Sequence, residues 1–332
     1  MTNTYATAGT YTVSLVVAGL GGVGTLTNTA YIVVTNAVVI SSDASLSYLA
    51  LSPLGALTPT FNTTLTNYMA TNAIGTTSVT VTVTNTSALA TNALFLNGVL
   101  QGSPAAGSLA GTVAVAVGSG NVIQVVVTAQ DGVTTSTNTV TVTVLPSTNA
   151  YLTSLVLNPT GQAGLTTSFV STTLSYLATN AYGYTPTFTV VNADLTATNS
   201  LIYNNITNGL ASGVASTTPT LNLTLGVTNV AQVQVTAQDG VTVQTYVVNI
   251  VEQPSQTVPH LTNSVSGNNL VLSWPGDHLG YRLLVQTNNL NKGVSGNIGD
   301  WGTVPGSTNL TGTSITILKT GVTNMYYKLV YP

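Results

Sequence analysis

Valine and threonine take turns along much of this chain. Val79, Val81 and Val83 alternate with Thr80, Thr82 and Thr84, and Val140, Val142 and Val144 with Thr139, Thr141 and Thr143. Val113, Val115 and Val117 alternate with Ala114 and Ala116, and Val233 and Val235 with Gln232 and Gln234. A period of two sends successive side chains to opposite faces of a strand. Each run therefore predicts a strand with one face in a core and one in water. Both Val and Thr are β-branched and suit that setting. No stretch carries a helical period. Asp131-Gly132 and Asp239-Gly240 fall between such runs and predict tight hairpins of type I′, a turn that needs positive φ.

The pattern repeats. Val127–Thr134 and Val235–Thr242 share the octapeptide Val-Thr-Ala-Gln-Asp-Gly-Val-Thr. Tyr68-Met69-Ala70-Thr71-Asn72-Ala73 returns as Tyr176-Leu177-Ala178-Thr179-Asn180-Ala181, and Leu46–Leu51 returns in altered form as Leu152–Leu157. A period just above one hundred residues is too long for a solenoid turn and fits an independent sandwich domain. Each copy opens with Leu-x-x-Leu-x-Leu, continues with a Phe and Tyr-x-Ala, and closes on Val-x-Val-Thr-Ala-x-Asp-Gly and a last strand. An Asn-Gly turn, Asn97-Gly98, lies in the middle of the first copy. Residues 44–145 and 151–252 thereby resemble the cadherin-like β-sandwich domain of bacterial surface proteins. The second copy departs at Asn208-Gly209, and its closing strand carries Tyr246 where the first copy has no Tyr. The resemblance implies a fold and no assigned activity.

The two ends differ from the repeats. Tyr5, Gly9, Tyr11, Val13, Leu15 and Val17 fit the pattern Tyr-x-x-x-Gly-x-Tyr-x-Val-x-Leu-x-Val. That stretch resembles the last strands of a PKD-type Ig-like domain, with Tyr31–Val34 as the final strand. So short a segment does not bury a core of its own, and a lone hairpin is marginal in water. Residues 259–332 hold both Trp, both His and every basic residue. They resemble the small β-domain that closes many large secreted bacterial repeat proteins, a fibronectin-like half sandwich with Trp274 in its core. The expected layout is all-β, tandem Ig-like and cadherin-like β-sandwiches. It has incomplete strands over 1–40, sandwiches over 41–147 and 148–254, and a C-terminal domain over 255–332.

Composition narrows the function. Charged residues are 3 % of 332, the formal net charge is -3, and Arg282 is the first basic residue. That removes the electrostatic footprint for nucleic acid and for an anionic membrane surface. No apolar run is long enough to span a bilayer, so membrane insertion is not expected. A near-neutral surface favours association. Cys is absent, and with it disulfides, thiolate metal sites and Cys nucleophiles. Met1 opens no signal peptide, since the first residues lack positive charge and Gly19, Gly21 and Gly22 break the apolar run. With so few Lys, Arg and Glu, the composition reads as extracellular or cell-surface.

Candidate chemistry is sparse. Asp277-His278 with Ser273 nearby is the one acid–histidine neighbour pair, but no nucleophile elbow accompanies it. It reads as a turn after Trp274-Pro275-Gly276, with side chains that a strand would send to opposite faces. His260 reads as an exposed linker residue. The seven acids, Asp43, Asp131, Asp194, Asp239, Glu252, Asp277 and Asp300, are scattered. They offer neither a glycosidase pair nor a calcium cluster. No enzyme, cofactor or metal is expected. Leu145–Asn149 reads as a linker, and Lys–Asn cross-links are excluded from both repeats, which lack Lys. Asn62, Asn85, Asn205, Asn222 and Asn309 fit the Asn-x-Ser/Thr glycosylation pattern.

The reading is a structural subunit of an extracellular bacterial filament or surface fibre whose partner is itself, assembling head-to-tail by strand donation. Tyr11, Val13, Leu15, Val17, Tyr31 and Val33 are expected on the donated, buried face. Two other readings of the hairpin stand beside it: packing on the first repeat of its own chain, and the cut end of a longer gene product. The alternatives for function are a carbohydrate-binding adhesin, with glycans as partners stacked on Tyr rows, or the C-terminal fragment of a large secreted surface protein.

Overall fold

A computed structural model describes residues 3–36, 39–53, 56–102, 104–288, 293–307, 314–318 and 324–331. Their regular structure is β-strand apart from two short 3-10 turns. The protein is all-β, with β-sandwiches in tandem. It divides into two compact units, Met1–Leu145 and Pro146–Pro332.

The first unit opens with a hairpin of β1 (Gly9–Gly19) and β2 (Gly22–Val34), a two-stranded sheet of its own. A sandwich follows, made of β3 (Leu46–Ser52), β4 (Asn67–Asn72), β5 (Ser78–Asn85), β6 (Thr91–Leu96), β7 (Val99–Leu100), β8 (Ala105–Ala106), β9 (Ser108–Ala114), β10 (Gly118–Thr128) and β11 (Thr135–Val144). One sheet has the order β3-β5-β9, the other β4-β11-β10-β6-β7 with β8 also on β6. The alternating valines face one another across the two sheets. Val79, Val81 and Val83 are fully buried, as are Ile123, Val125, Val127, Val140, Val142 and Val144. The intervening threonines face outward, and the Thr80 and Thr112 hydroxyls lie 2.8 Å apart across β5 and β9.

The second unit repeats this plan with β12 (Leu152–Asn158), β13 (Ala163–Leu165), β14 (Ser175–Asn180), β15 (Thr187–Asn192), β16 (Thr198–Tyr203), β17 (Ile206–Leu210), β18 (Thr228–Thr236) and β19 (Val243–Glu252). The large sheet runs β13-β14-β19-β18-β16-β17. The small one keeps only β12 and β15. The segment in the place of β9 is held by Gly213 and Ser216 N–H groups on the Val190 and Phe188 carbonyls (2.6 and 2.7 Å). The rest of the unit is β20 (Thr262–Ser266), β21 (Asn269–Ser273), β22 (Arg282–Asn288), β23 (Gly302–Thr303), β24 (Ser314–Leu318) and β25 (Asn324–Val330). They form the sheets β20-β21-β24 and β23-β22-β25 around Leu272, Leu283 and Val304. Trp274 is buried, and its indole N–H donates to the His278 carbonyl at 3.2 Å.

Three local expectations change. The Val113–Val117 alternation stops being strand at Ala114, because the Asn121 side chain takes over the Ala116 amide and carbonyl, both at 2.8 Å. Asn229 does the same for Thr224 in the second repeat. The Asp-Gly hairpins are present but not type I′. Asp131 keeps a negative φ while Gly132 sits at +71°, and the Asp131 carboxylate accepts from the Val133 and Thr134 N–H groups. Two consecutive positive φ values occur instead at Asn97-Gly98 (50° and 80°) and at Asn204-Asn205 (50° and 63°). The second repeat thus turns at Asn204-Asn205, and Asn208-Gly209 lies inside β17.

Candidate assembly face

The hairpin turns through Leu20 and Gly21, with Gly19 opposite Gly22. A two-residue turn makes every odd-numbered residue of β1 face an even-numbered residue of β2. Tyr11 therefore pairs with Ile32, Val13 with Asn28, Leu15 with Leu26 and Val17 with Gly24. Directly opposed residues share a face, so Tyr11, Val13, Leu15, Val17, Leu26 and Ile32 form one apolar surface. The other face pairs Thr10 with Val33, Ser14 with Thr27 and Val16 with Thr25, and the Ser14 and Thr27 hydroxyls are 2.9 Å apart. The register shifts between Tyr11 and Val13, where Thr12 lies against Thr29–Tyr31 and Ala30 takes a φ of +53°.

This corrects two of the six residues expected on that surface. Val33 belongs to the opposite face, and Tyr31 sits in the irregularity. Leu26 and Ile32 take their places. The parity follows from the two-residue turn that the structure places at Leu20-Gly21. The surface is also not buried within the described structure. Leu15 is 59 % exposed, Val17 62 % and Leu26 65 %, and no hairpin residue belongs to the core of the first sandwich. At the root of the hairpin Tyr5 and Tyr11 rings approach to 4.4 Å, and the Tyr11 hydroxyl donates to the Thr7 carbonyl. Neither β1 nor β2 carries Lys, Pro or any charge, so of the devices that keep an edge strand from pairing the hairpin has only the irregularity at Thr29–Tyr31.

The remaining candidate residues lie apart from this face. Asn62 and Asn222 are exposed, and Asn205 is exposed at the tip of its turn. Asn85 is buried, and its side-chain amide donates to the Ala90 carbonyl at 2.8 Å. A sugar at Asn85 would have to displace that bond, so the folded chain does not present it as an acceptor. Asn309 lies outside the described residues. Tyr68 and Tyr176 are buried, with hydroxyls donating to the Leu65 and Val170 carbonyls (2.8 and 2.6 Å), and offer no ring face to a sugar. Asp277 and His278 do touch, contrary to the strand argument, because a 3-10 turn over Gly276–His278 brings His278 Nδ1 to 2.7 Å from Asp277 Oδ1. The other ring nitrogen faces the Thr257 carbonyl at 2.7 Å, and the Ser273 hydroxyl meets Thr262 at 2.7 Å instead. His278 is buried and His260 exposed. Among the described residues no three His, Cys, Asp or Glu gather as a metal site, and no helix is long and apolar enough to cross a membrane.

Residues 41–145 match the family model of the cadherin-like beta sandwich domain. The match covers the first repeat. The second shares its strand pairing. Domains of this kind are usually found in extracellular or surface proteins. Against curated proteins the sequence has no match. Similar solved structures include domains A168–A170 of titin (13 % identity, 86 % of this chain and 92 % of that one, TM-score 0.30). Others are the ICAM-5 D1–D4 ectodomain fragment (12 %, 86 % and 75 %, 0.30) and the fibronectin(III)-like modules of Clostridium thermocellum CbhA (12 %, 62 % and 95 %, 0.20). At such scores these likenesses add nothing to what the strands themselves show.

Proposed function

We propose that the protein is a non-catalytic structural subunit of an extracellular filament or surface fibre, joined to further copies of itself by the β1–β2 hairpin. The observation that carries this is the apolar face of Tyr11, Val13, Leu15, Val17, Leu26 and Ile32, four of them exposed, on a hairpin whose edges carry no charge and no Pro. Magnitudes favour strand addition over face packing alone. Full burial of one such side chain contributes roughly 1.5–3 kcal/mol, so the four exposed ones, Val13, Leu15, Val17 and Leu26, give on the order of 10 kcal/mol. Association itself costs about 4–15 kcal/mol. The face therefore roughly breaks even, and the main-chain bonds of an added strand supply the surplus.

The test is light scattering and negative-stain microscopy of the purified chain over a range of concentrations. The parent and Thr25→Asn, which alters the opposite face without adding a charge to an edge strand, are expected to polymerise without added ligand. Leu15→Asp, at the centre of the apolar face, is expected to stay monomeric. A parent chain that remains monomeric, or a Leu15→Asp chain that polymerises equally, overturns the reading. Binding of a glycan by the monomer would turn it towards an adhesin.

A further inference from the structure

The chain enters the first sandwich at one end and leaves at the other. At the entry the Ser41 carbonyl accepts from the Asp131 N–H at 3.2 Å, and the Ser41 N–H donates to Gln130 Oε1 at 3.0 Å. The incoming peptide is thus stitched to the β10–β11 turn. At the exit the Leu145 N–H donates to the Asn72 carbonyl at 3.1 Å, just past the ends of β11 and β4. Those two strands run parallel, from Asn67 against Thr139 to Asn72 against Val144. The second repeat copies each part. Ser147 is stitched to Asp239 and Gln238 (3.1 and 2.9 Å), β14 runs parallel to β19, and the Gln253 N–H donates to the Asn180 carbonyl at 2.8 Å.

Parallel pairing of an early strand with the last one has a mechanical consequence. The leading end of β4 points towards the entry, and the trailing end of β11 towards the exit. A pull between those ends runs along the ladder, so its hydrogen bonds share the load. A pull on the same end of both strands would open the bonds one at a time. The first strand, β3, likewise starts at the entry and is drawn along its own length against β5.

We propose that each repeat is a tension-bearing element, built so that force between its two chain ends loads the terminal strands lengthwise. The input is mechanical load, and the inference is independent of the hairpin. Forced unfolding follows the unfolding rate under load rather than equilibrium stability, so direction of pull is the quantity to vary. The absence of cysteine makes this direct, since a pair of introduced thiols defines both handles. Ile40, Ile74 and Leu145 are all exposed, just before the entry, beyond the trailing end of β4 and beyond β11.

Optical-tweezers pulling of the full chain would compare Ile40→Cys/Leu145→Cys, loaded between the two chain ends of the repeat, with Ile74→Cys/Leu145→Cys, loaded across the β4–β11 ladder. The lengthwise pair is expected to rupture at a mean force at least about twofold higher at the same loading rate, with equal thermal midpoints. Equal rupture forces in the two directions, at equal thermal midpoints, overturn the proposal. Thr148→Cys and Tyr182→Cys, each with Gln253→Cys, repeat the comparison in the second sandwich and cover the case in which one variant of the first fails to fold.

Discussion

Asn138 and Tyr246 hold the same place on the closing strands of the two repeats. The Tyr246 ring packs 5.6 Å from Phe169, its hydroxyl donates to the Ser171 carbonyl at 2.8 Å, and it accepts from the Leu152 N–H at 3.1 Å. Asn138 is buried too but far smaller. Tyr246→Asn is expected to destabilise the second repeat by about 3 kcal/mol or more. Asn138→Tyr, which forces a far larger ring into a filled site, is expected to destabilise the first by about 1–3 kcal/mol. Denaturant unfolding of the two variants checks both losses. The four turn aspartates set the acid limb. The Ser45 hydroxyl lowers Asp43, the Thr134 hydroxyl Asp131 and the Thr242 hydroxyl Asp239, while Asp194 is lowered first by Ser147 and then by Thr196. With the folded value below the unfolded one, their contribution is complete above about pH 4 and drains as pH falls through the folded values. Burial raises Glu252, which works in the opposite sense. Urea unfolding followed from about pH 7 to about pH 2 should show a plateau and then a decline. None of these roles was legible beforehand. A sequence places Asp-Gly in a turn, but it does not say which hydroxyl the carboxylate will meet.

Among the elements, the strands were legible wherever Val and Thr alternate, because burial on one face enforces the period that the residues display. Strand ends were not. Asn121 and Asn229 end one strand and start the next by binding main-chain groups five residues back, and nothing in the alternation announces it. The apolar face of the hairpin was half legible, since β1 displays its odd residues but the partner face depends on turn length. The stitch at each entry was not legible at all. Gln130→Ala should leave the Ser41 N–H without its partner and lower the stability of the first repeat by about 1 kcal/mol. Gln238→Ala should do the same to the second. Hydrogen exchange at Ser41 and Ser147 reads the loss directly, as faster exchange at those amides alone.

For the molecule as a whole, the duplicated octapeptide gave away the tandem plan, since identical turns recur only where identical strand pairs recur. The hairpin shares no core with the sandwich that follows it. Removing residues 1–36 should therefore leave the thermal midpoint of the first repeat unchanged, which calorimetry of the shortened chain would check. A drop of several degrees would mean that the hairpin packs on its own neighbour.

One consequence reaches past the fold. The outward faces of both repeats are dressed in hydroxyls and amides, and the one ion pair among the described residues is His278 with Asp277, outside the repeats. Dissolved electrolyte acts on proteins largely by shielding charge from charge, and here it finds almost nothing to shield. The same sandwich should hold as firmly in brine as in rainwater.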